Sequence, residues 1–229
     1  MSKINVEVLR YDPENGEEGT HVTYSLDAHE NSTIMEALLK IYEENDSTLA
    51  FNYGCRVKNC GLCVVNVNGK PRYACTTRIE DNVKISPIAK VPVIKDLVFD
   101  RKLFYDFLNK FSPYVVRDKG PETLPEVLIQ PYEHIILMSC RECFACVSVC
   151  PRYNYRDESF GGPLAFVKLA QLHYDCRDSV DRILQAQNMG IQKCIDCGRC
   201  SCISGIPVNR IVIGPFLENL KSREKEQKG

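Results

Sequence analysis

The feature that most constrains this 229-residue chain is the placement of its 13 cysteines. An early set runs Cys55-x4-Cys60-x2-Cys63, with Cys75 following after eleven intervening residues. A second run reads Cys140-x2-Cys143-x2-Cys146-x3-Cys150-Pro151, and a third opens Cys194-x2-Cys197-x2-Cys200, with Cys202 just beyond. The first spacing is that of plant-type [2Fe–2S] sites. The second is the bacterial run whose fourth cysteine serves the other cluster of a pair. A chain patterned this way is expected to gather thiolates from short loops and to carry electrons.

Composition narrows the alternatives. A disulfide framework suits short exported miniproteins, and an odd number of cysteines fits it poorly. Reduced thiolates holding metal in a cytoplasmic or cytosol-facing protein is the preferred reading. The net charge of −1 gives no reason to expect nucleic acid or an anionic membrane surface as partner. No apolar run approaches the ~20 residues of a membrane-spanning helix. Met1 to Val8 alternates like a strand rather than a signal peptide. The charged stretch Lys221 to Lys228 mixes both signs and reads as a solvated terminus.

Periodicity predicts an α+β chain of two domains, 1–98 and 99–229. Ile4–Tyr11 and His21–Leu26 alternate around the turn-rich Asp12-Pro13-Glu14-Asn15-Gly16, which predicts a hairpin. Thr33 and Glu36 have capping-box spacing, and Ile34, Ala37, Leu38 and Ile41 share one face, so a helix is expected over Thr33–Glu44. The first three cysteines follow in a loop. Val64–Val67 leads to Asn68-Gly69, a strong hairpin signal, with a strand returning towards Cys75 and a last strand at Val83–Ile88. Beyond residue 98 the pattern is helical, with helices expected at Lys95–Lys110, Pro163–Tyr174, Ser179–Asn188 and Val208–Leu220. Ser112–Pro131 reads as a proline-bearing surface loop.

The cysteine loops suit cluster chemistry. Gly54 and Gly61 free the backbone to curl and aim N–H groups at sulfur, which favours the electron-rich state. A four-cysteine zinc site usually pairs two short spacings, and the early set does not. In the second run Pro151 ends the curl and sends Cys150 to a neighbouring core. The third run departs from pattern, with Ser204 and Gly205 where a cysteine and proline are expected. Two four-iron cores take four thiolates each, and the later cysteines exceed that by one. Cys176, in a helical stretch, reads as a small buried hydrophobe. The resulting assignment is Cys140, Cys143, Cys146 and Cys202 for one [4Fe–4S], and Cys150, Cys194, Cys197 and Cys200 for the other. Ser204 and Cys176 remain the alternatives to Cys202. His21 and His29 are expected to be exposed, and His134 and His173 stand in helical context without a cysteine at ligand spacing. No catalytic residues are assigned.

With these motifs in view, the sequence resembles the iron–sulfur subunit of the succinate dehydrogenase/fumarate reductase family. The resemblance includes Ala37-Leu38-Leu39, Asp46-Ser47-Thr48-Leu49, Asn66-x-Asn68-Gly69, Ala74-Cys75, Lys95-Asp96-Leu97-Val98, Gly162-Pro163 and Asp175-Cys176-Arg177-Asp178, besides the cysteine runs. It implies a plant-type ferredoxin (β-grasp) domain followed by an all-α domain of two-cluster bacterial type. It further implies an FAD-bearing partner subunit acting on a dicarboxylate such as succinate, and a membrane anchor or other electron carrier at the far end. The family usually lacks a cysteine at the position of Cys197 and holds [3Fe–4S] there. Cys197 therefore implies a second [4Fe–4S], usually of lower potential. Relatives that bind quinone commonly carry tryptophan and histidine where this chain has Tyr155 and Ile195, and the chain has no tryptophan. Two other function classes compete: a free-standing multi-cluster ferredoxin, expected to be acidic, and a zinc-bound interaction module.

Overall fold

The computed structural model describes residues 2–16, 19–29, 31–117 and 128–226. It contains both sheets and helices, and divides into two compact units: residues 1–101 with 141–148, and residues 102–140 with 149–229.

In the first unit, β1 (Ser2–Arg10) and β2 (Thr20–Ala28) pair antiparallel along their full length, from Ser2 opposite Ala28 to Arg10 opposite Thr20. Alternation explains the register: Ile4, Val6, Val8, Tyr24, Leu26 and Ala28 all fall on one buried face. The hairpin of β3 (Val64–Val67) and β4 (Lys70–Tyr73) turns at Asn68 and Gly69, both at positive φ, as a two-residue primed turn requires. Adding β5 (Val83–Ser86) gives a five-stranded sheet in the order β2-β1-β5-β3-β4, with β1 and β5 parallel.

Helix α1 (Ile34–Lys40) buries Ile34, Met35, Ala37 and Leu38. Its capping box is complete: the Thr33 N–H donates to Glu36 Oε2 at 2.6 Å, and the Glu36 N–H donates to Thr33 Oγ1 at 3.2 Å. The expected helix over Thr33–Glu44 is therefore α1 continued as a wider π-type turn over Ile41–Asn45.

The expected helix over Lys95–Lys110 needs correction. Val93–Lys95 (β6) and Val98–Phe99 (β7) form a small hairpin, and helix α2 covers only Lys102–Asn109 rather than Lys95–Lys110. Asp96 explains why. It turns at φ 45°, and its buried carboxylate accepts from Arg10 Nε and the N–H groups of Tyr11 and Ala50 at 2.8–3.0 Å. A residue so committed cannot join a helix.

The second unit is helical. It contains α2, α3 (Tyr132–Leu137), α5 (Gly162–His173), α6 (Arg182–Asn188) and α7 (Gly214–Glu226), the last preceded by a π-type turn at Asn209–Ile213. The short α4 (Ala145–Val149) begins in the segment assigned to the first unit. Helix α5 is buried nearly all round, and its Gln171 donates to the Leu137 carbonyl at 2.8 Å. Arg182 is fully buried, which is tolerable only because every donor is used. It meets both oxygens of Asp178 at 2.7 and 2.8 Å and the carbonyls of Phe111, Ser112 and Tyr114. Asp178 in turn accepts from the Val116 N–H at 2.9 Å, so the pair pins segment 111–116. The remainder of the expected surface loop, residues 118–127, lies outside the described residues.

Candidate iron–sulfur centres

The early cysteines occupy the loop between α1 and β3 and the end of the β3–β4 hairpin. Cys63 immediately precedes β3, and Cys75 stands two residues after β4. The Ala74 N–H bonds to the Cys63 carbonyl at 3.0 Å, and the Met35 N–H at the start of α1 bonds to the Ala74 carbonyl at 3.0 Å. The hairpin thus closes Cys63 against the Cys75 segment, and the capped helix holds it there.

The loop curls because Arg56, Lys58 and Gly61 all adopt positive φ. At Gly61 this is obligatory: a Cβ would lie 2.1 Å from the Arg141 carbonyl oxygen. Curling turns amides onto sulfur. Val57, Asn59 and Cys60 donate N–H bonds to Cys55 Sγ at 3.4, 3.1 and 3.2 Å, and the Cys55 N–H approaches Cys60 Sγ at 3.5 Å. The Val57 and Asn59 amides bring the Cys55 thiol down to about 7, whereas burial pushes Cys63 up to about 12. Cys63 is hydrogen-bonded to Cys75 and feels Cys60. All four early cysteines are therefore brought together, with Cys63 and Cys75 buried.

The donor set fits a [2Fe–2S] group. The thiols converge in reduced form, none of the 13 cysteines is in a disulfide, and amides already point at sulfur.

In the second unit, Cys150, Cys194, Cys197 and Cys200 line one pocket. Left-handed backbone at Asp196 (φ 60°) and Gly198 (φ 59°) wraps the third run around it, and the Asn209 side chain clips the Gly198 carbonyl at 2.8 Å. Burial pushes the Cys194 thiol up to about 12 and Cys200 to about 11, with the neighbouring thiols adding to both. Sulfurs that raise one another's pKa while lining a common space fit a shared inorganic core, whose positive iron would relieve that repulsion. Among the described residues no three His, Cys, Asp or Glu side chains are gathered at single-ion spacing.

The remaining set is divided between the units: Cys143 and Cys146 fall in the first, Cys140 and Cys202 in the second. Glu142 and Phe144 are at positive φ, and Cys143 is buried. Cys202 does not line the Cys150 pocket and accepts, through its carbonyl, the Gly205 N–H at 3.0 Å.

Cys176 corrects the sequence reading. It is exposed, not buried. Asp175 accepts from both the backbone and the guanidinium of Arg177, at 2.6–2.9 Å, and this tight turn faces Cys176 outwards.

His21 and His29 are exposed, and His21 meets Glu7 at 3.0 Å. His134 is 4% exposed, and its Nδ1 has no hydrogen-bond partner among the described residues. Arg152 and Arg199 also line the Cys150 pocket, a feature that sequence reasoning passed over. The available signal was their place beside cysteines in the second and third runs.

A model of a 2Fe-2S iron-sulfur cluster binding domain matches residues 5–106. An uncharacterised iron–sulfur protein of Methanocaldococcus jannaschii is 36% identical over 86% of this chain and 39% of its own length. One of the subunits of the fumarate reductase (CoM/CoB) of Methanothermobacter marburgensis is 30% identical over 96% of this chain and 44% of its own length. The chain thus spans well under half the length of these two curated relatives. The fumarate reductase iron-sulfur subunit of Haemophilus influenzae is 29% identical, with 86% of this chain and 85% of the relative covered. A chain of the Mycobacterium smegmatis Sdh1 complex in the apo form shares the fold, with TM-score 0.83, 24% identity and 97% of both chains covered. The chain thus resembles the iron–sulfur subunits of the succinate dehydrogenase/fumarate reductase family.

Proposed function

We propose that this chain is the electron-transfer subunit of a flavin-dependent succinate dehydrogenase/fumarate reductase-like complex. It would relay single electrons between an FAD subunit and a quinone or other carrier, and would itself hold no catalytic residue. Its domains would be a plant-type ferredoxin (β-grasp) domain over 1–98 and a two-cluster helical domain over 99–229.

Cys55, Cys60, Cys63 and Cys75 would hold [2Fe–2S]. Cys140, Cys143, Cys146 and Cys202 would hold one [4Fe–4S], and Cys150, Cys194, Cys197 and Cys200 a second, where the family usually has [3Fe–4S]. When bound, these groups supply one-electron carriers. The protein's part is to present thiolates, to aim amides such as Asn59 N–H at sulfur, and to bury Cys63 and Cys75 away from water.

The observation that carries the reading is the common pocket of Cys150, Cys194, Cys197 and Cys200, because it joins two distant runs as a two-cluster pattern demands. Among the described residues no helix is long and apolar enough to cross a membrane. The proposed location is the cytoplasm, or the cytoplasmic face of a membrane with contact made peripherally through an anchor subunit.

Purification of the tagged chain from its own cells, without oxygen, tests the proposal. Recovery with an FAD-containing subunit is expected. A stable lone chain carrying clusters would favour a free-standing ferredoxin instead.

A further inference from the structure

The Cys150 pocket has a surface of its own. Its lining includes Arg152 and Arg199, both exposed, and no carboxylate. Salt bridges among the described residues engage neither arginine, whereas nearby Lys193 is held by Asp157 at 3.3 Å. Apolar side chains stand out next to the same cysteines: Val149, before Cys150, is 38% exposed, and Ile195, after Cys194, is 41% exposed. Asp196 is the exposed acidic residue in the third run.

Exposed arginines on a pocket lined by four cysteines, with exposed apolar residues adjacent to those cysteines in the chain, have the make-up of a protein contact. Interfaces combine an apolar centre with a polar rim and are enriched in arginine.

We propose that this rim is the docking face for a protein electron carrier whose own surface is acidic around its redox centre. The inference rests on the reading that the four thiols hold a cluster, and it names the partner that cluster would serve. Opposite charge would steer encounter and fix orientation, and salt would slow it. The exposed Val149 and Ile195 would supply the apolar contact once the charges have aligned the partners. One electron passes per encounter, leaving the carrier oxidised by one and the cluster reduced by one, or the reverse.

The test uses the anaerobically prepared, cluster-loaded chain, as wild type and as the double variant Arg152→Gln/Arg199→Gln. Each is reduced in stopped flow by a reduced plant-type ferredoxin, which is acidic, and separately by photogenerated 5-deazariboflavin radical, which is neutral. At low salt the ferredoxin rate is expected to fall about tenfold or more in the variant, and the wild-type rate to fall as salt rises. The deazaflavin rate should change far less. An unchanged ferredoxin rate, or equal losses with both donors, overturns the proposal, the latter because it means the arginines only tune the cluster. Full iron with flat rates defeats this inference alone. A chain without iron or sulfide defeats the cluster reading and this inference together.

Discussion

At the scale of single residues, two side chains make the account testable. Asp46 accepts from Arg10, from the Tyr24 hydroxyl at 3.0 Å, and from the Thr48 hydroxyl and N–H at 2.6 and 3.0 Å. The Thr48 hydroxyl leads the interactions that hold its carboxyl below the usual carboxylate range, against an opposing desolvation effect. A depressed folded-state pKa means the stabilisation is fully present above the ordinary carboxylate value, about 3.9, and is lost as pH falls through the lower folded value. Asp46→Ala should therefore cost about 1–2 kcal/mol near neutral pH, and the gap to wild type should close in strong acid. Anaerobic calorimetry across pH would measure both. A gap that widens on acidification would contradict the sign. Cys197 is the second residue. Replacing it by alanine should leave the Cys150 site with three thiolates, so a [3Fe–4S] EPR signal should appear in the oxidised variant while wild type lacks it. A persistent [3Fe–4S] signal in anaerobic wild type would refute the Cys197 assignment.

At the scale of elements, the capping box links helix and cluster loop. Thr33 caps α1, and the first helical amides bond to the Thr77 and Ala74 carbonyls on either side of Cys75. Thr33→Ala should cost about 1 kcal/mol and speed amide exchange at Ile34 and Met35. Unchanged exchange there would show that the helix start does not depend on its cap. This element was legible in advance, because Thr33-x-x-Glu36 and the apolar face of α1 are local signals. So was the β3–β4 hairpin, from Asn68-Gly69. The β6–β7 hairpin was not. Its apolar residues blend into the helical pattern of α2, and the decisive interactions reach Asp96 from Arg10, Tyr11 and Ala50, far away in sequence. Cys176 failed for a similar reason. Its side chain is turned by the Asp175–Arg177 pair, while periodicity alone places it on a helix. Spacing led to the expectation that Cys150 joins the third run, and the four residues line one pocket. Arg152 and Arg199 were not singled out, because arginines near cysteines carry no spacing rule.

At the scale of the whole molecule, the proposed function commits twelve of the 13 cysteines to inorganic cores and leaves the exposed Cys176 apart. All 13 cysteines are free of disulfides. Two quite different units carry them, one built on a mixed sheet and one on helices. The most direct measurement is iron, zinc and acid-labile sulfide per chain in anaerobically isolated protein. The account predicts about ten irons with matching sulfide, from one two-iron and two four-iron clusters. Stoichiometric zinc without sulfide, or a colourless chain with neither, would contradict it.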